Sequence, residues 1–344
     1  GPRRGVARAL LGLLAGLARL ERPHPVRLLA PRPAGPGLPP LVGWVCPPRP
    51  VRSARAFRRW IPRLLREHGA RVLLCPWSAF PAVDLPVAVT VHEVPFVRHG
   101  ALEGWGRTWR HRRWLRRDAR RAGAILVPSE ATADDVRRAT AVEAGRLHVV
   151  GNAFDPSPFE AAAREAGGTS RRGFVLVGTG GGRGRRGLLK KGVDVLLEAY
   201  RDLGRPDVAL DLVGPVPGLR LPPGVRVHED LDDAALARLV ASARALVYPS
   251  RSEGFGYPPL EAMAAGVPVV AARAGSIPEV VGDAALLVEP GDPSSLARGL
   301  ALVLGDDALR ARLVAAGKAR IEAFRPEEVA RRVLDLLATL GGLA

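Results

Sequence analysis

Short apolar runs punctuate this chain, and between them lie longer segments whose apolar positions recur every three or four residues. In the second half the runs are FVLVG (174–178), VALDLVG (208–214), VRVHEDL (225–231), ALVYPS (245–250), VPVVAA (267–272) and ALLVEP (285–290). A near-continuous apolar run bounded by turn residues reads as a strand buried on both faces, the habit of parallel sheets covered by crossover helices. The first half shows the same alternation. VLLCPW (72–77), VAVTVHEV (87–94), AILVPS (124–129) and LHVVGNAFD (147–155) read as strands, and VRLLA (26–30) and LVGWVC (41–46) are strand-like pieces in a Pro- and Arg-rich stretch. RAFRRWIPRLLREHG (55–69), GRTWRHRRWLRRDARRAG (106–123) and EATADDVRRA (130–139) read as helices, as does RPEEVARRVLDLLATL (325–340) at the end. EAAAREAGGTSRRG (160–173) reads as a linker. Two α/β domains of typical size fit a chain of 344 residues.

One stretch carries more chemistry than the rest: EGFGYPPLEAMAAG, from Glu253 to Gly266. Two carboxylates stand eight positions apart, with two glycines and two prolines between them. The order is strand, Gly-rich loop, helix, strand. Pro258 and Pro259 suit a first helical turn, where a missing N–H costs nothing, and Gly266 suits the helix end. The loop bearing Glu253 leaves the carboxyl end of a strand, where open α/β sheets take ligands. Glu261 is expected in the first helical turn, among backbone N–H groups.

This stretch resembles the signature of the retaining glycosyltransferases of family four, enzymes of the GT-B fold. The resemblance continues downstream through AGSIPEVVGDAALLVEPGDPSSLARGL (274–300), similar to bacterial mannosyltransferases of the family. Upstream it runs through VTVHEVPF (89–96), AILVPSEATADDV (124–136) and KKGVDVLLEAY (190–200). It implies two Rossmann-like domains facing across a cleft. We assign residues 1–165 to an acceptor-side domain, 166–324 to a nucleotide-sugar domain, and 325–344 to a helix crossing back to the first domain. In the family a strand and a Gly-containing turn precede a helix like ALLGLLAGLARL (9–20), so a first strand is expected ahead of this sequence.

Residue by residue, the resemblance places the donor diphosphate on Arg186 and Lys191. Arg183 and Arg185 are alternatives to Arg186, because TGGGRGRRG separates the strand from the match. Glu261 takes the ribose hydroxyls, as a carboxylate accepting two hydroxyl hydrogen bonds can. Glu253 takes the transferred sugar. The backbone N–H groups of Phe255 and Gly256 hold sugar hydroxyls, with Gly254 and Gly256 allowing close approach of the main chain. His92, at the end of a strand in the first domain, is implied to reach toward the donor sugar. The family commonly has Asp after this His, and here Glu93 follows. No protein nucleophile, cofactor or metal is implied; the donor is a GDP- or UDP-linked sugar, and electrostatic stabilisation of the leaving diphosphate is expected to dominate.

Charge modifies this picture in one place. Residues 1–150 hold 27 Lys and Arg against 10 Asp and Glu, whereas residues 151–344 hold 24 of each. The whole net charge of +17 therefore lies in the first half. Seven arginines, Arg110, Arg112, Arg113, Arg116, Arg117, Arg120 and Arg121, crowd one expected helix, enough to draw it to an anionic membrane where a lipid-linked acceptor would be. The competing reading is a solvated surface, with pairing to acids such as Asp118. The dominance of Arg over Lys is what a high-GC bacterial genome would be expected to give. Two isolated cysteines, Cys46 and Cys75, make neither a metal cluster nor a disulfide framework, and a reducing cytoplasm is the default. No apolar run reaches a membrane span, and 9–20 reads as an amphipathic helix rather than a leader.

Rival functions have thinner support. GRGRRG (182–187) matches in form the dinucleotide fingerprint of an NAD-dependent oxidoreductase, but the candidate acid, Asp211, falls inside the next strand rather than at its end. Asp230-Leu231-Asp232 matches a metal motif in form, but it precedes DAALARLV and reads as a helix cap. A nucleic-acid-binding role for the first half would rest on Trp105, Trp109 and Trp114 alone, and none is expected.

Overall fold

A computed structural model describes residues 5–21, 25–30, 43–47, 53–77, 80–98, 105–167, 173–180 and 184–343. It resolves into two compact units. One comprises Val6–Ala153 and Arg325–Ala344, the other Gly1–Gly5 and Phe154–Phe324.

The N-terminal unit starts with helix α1 (Gly5–Arg19) and a small parallel pair, β1 (Arg27–Leu29) with β2 (Gly43–Val45). After α2 (Ala54–Glu67) come β3 (Leu73–Cys75) and β4 (Val87–Thr90). Then follow α3 (Pro95–Arg98), α4 (Trp105–Arg121), β5 (Ala124–Val127), α5 (Glu130–Ala139) and β6 (Leu147–Val149). Strands β3, β4, β5 and β6 form one parallel sheet in that order. Because side chains alternate across a strand, Val87 and Val89 face one side and Ala88 the other. Val87 and Val89 join Ile125, Val127, Leu115, Val136 and Leu65 in one buried cluster. Ala88 and Leu126 join Val329 and Val333 of the last helix, α14 (Pro326–Leu340). The helix ending the chain therefore belongs to the N-terminal unit. Its Ala330 also meets Leu14 and Leu17 of α1.

The C-terminal unit carries α6 (Ser157–Glu165), β7 (Phe174–Val177), α7 (Arg185–Lys190), α8 (Val193–Asp202), β8 (Leu210–Val213) and β9 (Val225–His228). Next come α9 (Asp233–Ser242), β10 (Ala245–Tyr248), α10 (Tyr257–Ala264), β11 (Val269–Ala272), α11 (Ile277–Val281), β12 (Ala285–Val288), α12 (Pro293–Gly305) and α13 (Asp307–Arg320). Its six strands run in the order β12-β11-β10-β7-β8-β9, all parallel. Counted from β7, that is the doubly wound order 3-2-1-4-5-6. One face is closed by α8 and α12, through Leu196, Leu197, Leu296 and Leu300 against Leu176, Leu212 and Val247. On the other face α10 lies over β10 and β11, with α6 and α9 beside it.

The boundary differs from the expected one at 165/166. Residues 154–165, read partly as linker, include α6, which packs on α9 and α10 within the C-terminal unit. Phe159 and Ala162 are the residues it buries. Of the expected linker, residues 168–172 lie outside the described residues.

Candidate functional site

In a 3-2-1-4-5-6 sheet the strand order reverses between β7 and β10, and the loops leaving their carboxyl ends diverge to leave a crevice. Both loops here are built by glycines. Gly178 and Gly180 leave β7 with φ of 78° and 73°. A Cβ on Gly180 would stand 2.7 Å from the Gly187 carbonyl oxygen and 2.9 Å from Lys191 Cγ, so only glycine lets α7 and Lys191 fold back so tightly. Arg185 and Arg186 open α7 and are exposed. Arg183 lies outside the described residues. Lys191 ends the turn, and Gly192, with φ of 67°, starts α8.

From β10 the chain passes Pro249 and Ser250 and is then tied to the α7–α8 junction. Arg251 N–H donates to the Lys190 carbonyl at 2.9 Å. The Arg251 guanidinium grips Asp194 in bidentate fashion, at 2.7 Å twice, and also donates to the Leu189 carbonyl at 2.5 Å. Two residues on, Glu253 Oε1 receives Lys191 Nζ at 2.6 Å. The Lys191 ammonium also lies over the Tyr248 ring, 5.5 Å from its centre. Burial presses the Glu253 carboxyl upward, but the Lys191 and Lys190 cations outweigh it and hold the group below the usual glutamate value. Two residues 62 positions apart thus meet at the switch point of the sheet.

A third loop, leaving β11, fixes the Glu253 segment from behind. Ser276 Oγ donates toward the carbonyls of Glu253 at 3.1 Å and Phe255 at 3.0 Å, and Ser276 N–H reaches Glu253 O at 3.3 Å. A Cβ on Gly275 would come within 2.8 Å of the Glu253 carbonyl oxygen. The sequence reading assigned no role to Arg251, Gly275 or Ser276. Their signal was position alone, since each follows the carboxyl end of a central strand.

Gly254, Phe255 and Gly256 complete the turn. Gly256 takes φ of 98° and caps α10. The Phe255 ring turns into the protein, edge-on to Tyr257 at 5.2 Å and Phe324 at 5.4 Å. The side chain therefore anchors the loop and leaves only main chain for a ligand. Glu261 is fully buried on α10. The helix starts at Tyr257, which makes Glu261 its fifth residue, beyond the first turn where it was expected. A carboxylate is costly to bury, and this one lies inside the helix that begins at the glycine turn.

His92 sits in the N-terminal unit, just past β4. Its Nε2 lies 2.9 Å from the Pro76 carbonyl oxygen. A carbonyl only accepts, so Nε2 carries the proton and Nδ1 the lone pair. Burial lowers the imidazole's affinity for a second proton, against the Pro76 hydrogen bond and the Glu93 charge, so the ring is neutral near pH 7.

The formal rivals are absorbed by structure. Asp211 is buried and held by Arg226 at 2.8 and 2.7 Å, with His228 Nε2 at 2.7 Å. It is committed to cross-strand pairing, not to a ribose. Asp232 caps α9, accepting from Ala235 N–H at 2.6 Å. Among the described residues no group of three His, Cys, Asp or Glu is placed to hold a metal ion.

The basic helix α4 divides its arginines. Arg117 pairs with the buried Asp118 at 2.7 Å and donates to the Phe80 carbonyl at 3.0 Å. Arg116 reaches the Ala139 carbonyl at 3.3 Å. Arg110 and Arg113 lie against Trp114 and Trp109, and these indoles are 37% and 58% exposed. Arg113, Trp114, Arg117 and Arg120 line a surface hollow of about 280 Å³.

Comparison with known proteins adds the following. The family description "Glycosyl transferases group 1" matches residues 185–320, and "Glycosyltransferase Family 4" matches residues 3–158. The chain is 35% identical to the MMP alpha-(1->4)-mannosyltransferase of Mycolicibacterium hassiacum over 277 residues, covering 73% of this chain and 65% of that one. It is 30% identical to the D-inositol 3-phosphate glycosyltransferase of Xylanimonas cellulosilytica over 294 residues, 76% of this chain and 68% of that one. It is 35% identical to the phosphatidyl-myo-inositol mannosyltransferase of Mycobacterium tuberculosis over 208 residues, 56% of this chain and 53% of that one. The chain thus spans between about half and two thirds of the length of these relatives. Among solved structures it resembles WaaG, a glycosyltransferase involved in lipopolysaccharide biosynthesis, with TM-score 0.68, 17% identity and coverage of 98% and 97%. Sucrose-phosphate synthase of Thermosynechococcus elongatus gives TM-score 0.69, 19% identity and coverage of 97% and 92%.

Proposed function

The chain belongs to glycosyltransferase family 4, and from that premise we propose that it moves a hexose from a nucleotide sugar to a glycan, lipid-linked or small-molecule acceptor. Its fold is of the GT-B class. The donor in first place is GDP-mannose, a choice supported by the mannosyltransferases among its relatives. The observation that carries the reading is the Lys191–Glu253 contact at the β7/β10 switch point. An ammonium there meets the diphosphate, and a carboxylate beside it meets the hydroxyls of the sugar that the diphosphate carries. Arg186, or Arg185 beside it, adds charge from the first turn of α7, and Glu261 takes the ribose.

In this reading the bond from the anomeric carbon to the phosphate oxygen breaks, and a bond to the acceptor oxygen forms on the same face. The acceptor's proton passes to the leaving phosphate oxygen, and the nucleoside diphosphate departs. Lys191 and the α7 arginines stabilise the charge developing on that diphosphate, which is why no divalent ion is required. Supplied with α-linked GDP-mannose and an alkyl mannoside, the enzyme is expected to give the α-anomer by NMR, at the same rate in excess chelator. A β-linked product, or activity restored to a chelated enzyme only by Mg or Mn, would overturn this mechanism.

We extend the proposal to an anionic membrane surface. No described helix is long and apolar enough to cross a membrane, but α4 offers exposed Trp109 and Trp114 with Arg110 and Arg113 against them. Each Arg near an anionic bilayer contributes about 1 kcal/mol within a Debye length. Such a surface would hold the protein reversibly at the inner, cytoplasmic leaflet beside a lipid-linked acceptor. Co-sedimentation with anionic but not neutral vesicles is expected, lost at high salt and on changing Arg110, Arg112, Arg113 and Arg120 to Gln. Arg117 is spared because it is structural. Equal partitioning into both vesicle types, or none into either, would favour a soluble acceptor.

A further inference from the structure

We propose that Arg251 is a positioning residue of the transferase site. Its guanidinium clamps the α7–α8 junction and so holds the Lys191 ammonium where the donor diphosphate arrives, without meeting the donor itself. This rests on the glycosyl-transfer reading and adds a residue to its machinery.

Pro249, Arg251 and Glu253 are alternate residues of the chain leaving β10, and all three meet the segment around Lys191. A Cβ on Gly192 would overlap the Pro249 carbonyl oxygen. Arg251 N–H donates to the Lys190 carbonyl at 2.9 Å, and Glu253 Oε1 receives the Lys191 ammonium at 2.6 Å. The Arg251 side chain then ties down both flanks of Lys191. Nη1 donates to the carbonyl of Leu189, ahead of it in the chain, at 2.5 Å. Nη1 and Nη2 hold the carboxylate of Asp194, beyond it, at 2.7 Å each.

The junction needs such a clamp. Helix α7 has only six residues and ends at Lys190, and the residue that starts α8 is Gly192, with φ of 67°. Glycine lends the chain no stiffness of its own. Lys191 therefore stands between a short helix and a permissive residue, on a flexible four-carbon stem. A guanidinium fork on a carboxylate is planar and fixes direction as well as distance. Asp194 lies in the first turn of α8, so the fork sets that helix against the β10 loop that leads to Glu253. Both terminal nitrogens of Arg251 are spent on protein partners, which separates its role from that of Lys191.

NMR of the full chain tests this. The chain has three lysines, Lys190, Lys191 and Lys318, so lysine labelled with 13C at Cε gives three side-chain signals, and Lys191→Ala identifies the one of interest. In the parent that signal is set apart by the Tyr248 ring, whose centre lies 5.5 Å from the ammonium. In Arg251→Gln and in Asp194→Asn it is expected to move at least about halfway to the position of a solvent-exposed lysine. GDP affinity by calorimetry should fall at least about fivefold in both, since misplacement by about 1 Å can cost about a hundredfold at such sites. The double variant should be no worse than the worse single, because both changes act through one fork. Arg226→Gln is the control. It breaks the bidentate pair with Asp211 between β8 and β9, and it should lower the melting temperature while leaving the Lys191 signal in place and GDP affinity within about twofold of the parent. Parent values of signal and affinity in Arg251→Gln and Asp194→Asn, equal changes in Arg226→Gln, or additive losses in the double variant overturn the clamp and leave Arg251 a stabilising residue only. A parent chain without affinity for GDP would count instead against the glycosyl-transfer reading, and the Lys191 signal would still decide the clamp.

Discussion

Lys191→Ala is expected to weaken binding of a nucleoside diphosphate by roughly 10- to 150-fold, the equivalent of losing one charge-assisted hydrogen bond of about 1.5–3 kcal/mol. Calorimetry with GDP reads the loss directly. The same change should also lower stability. Glu253 and Lys191 are 11% and 22% exposed at the side chain, so removing the cation leaves a carboxylate largely cut off from water. Breaking a buried pair from one side costs about 3 kcal/mol or more, somewhat less where water still reaches. Adding Glu253→Gln to Lys191→Ala should restore stability, because a neutral amide needs no cation, and it should not restore GDP binding. Unchanged GDP affinity in Lys191→Ala would remove the diphosphate from this residue.

Gly192→Ala is expected to cost about 2–5 kcal/mol, read as a lower urea midpoint. The backbone there has φ of 67°, which costs a side-chain-bearing residue about 1–2 kcal/mol. A Cβ would also overlap the Pro249 carbonyl oxygen, and forced overpacking adds about 1–3 kcal/mol. Since Gly192 follows Lys191 and abuts the loop that leads to Glu253, GDP binding should fall with stability. Gly145→Ala is the control: a Cβ there meets nothing within 4 Å, and its change should stay within about 1 kcal/mol. Equal stability of the two variants would mean that the tight apposition of α8 and the β10 loop is absent.

The strands were legible because a parallel strand buried on both faces must be apolar along its whole length. FVLV, ALVY and VVAA could be little else. Lys191 and Glu253 were legible through resemblance, while their mutual contact depends on the strand order, which no local pattern states. Arg251 and Ser276 were missed for a related reason. Arg251 pairs with Asp194, 57 positions away, and Ser276 binds carbonyls 23 and 21 positions back. Such tertiary ties leave no periodicity. The position of Glu261 was misjudged by one residue, because a helix opening on the two prolines would make it the fourth residue. The left-handed Gly256 sets the helix start at Tyr257 instead. Helix α6 was read partly as linker because it is short and Ala-rich, and its two buried residues gain partners only when α9 folds beside it. In α4, composition showed the charge but not its division between Arg117, spent on Asp118 and Phe80, and the arginines lying against exposed indoles.

The central claim is that the C-terminal unit binds a nucleotide sugar where β7 and β10 part. A thermal-shift series with GDP-mannose, UDP-glucose, GDP and NAD tests it most directly, since a ligand at about a hundred times its Kd stabilises the folded state by about 2.7 kcal/mol. GDP-mannose and GDP should raise the midpoint of the parent chain in a saturable way and stabilise Lys191→Ala by at most about half as much at the same concentrations, with NAD without effect on either. A midpoint raised by NAD and not by any nucleotide sugar, or raised equally in parent and Lys191→Ala, would contradict the account.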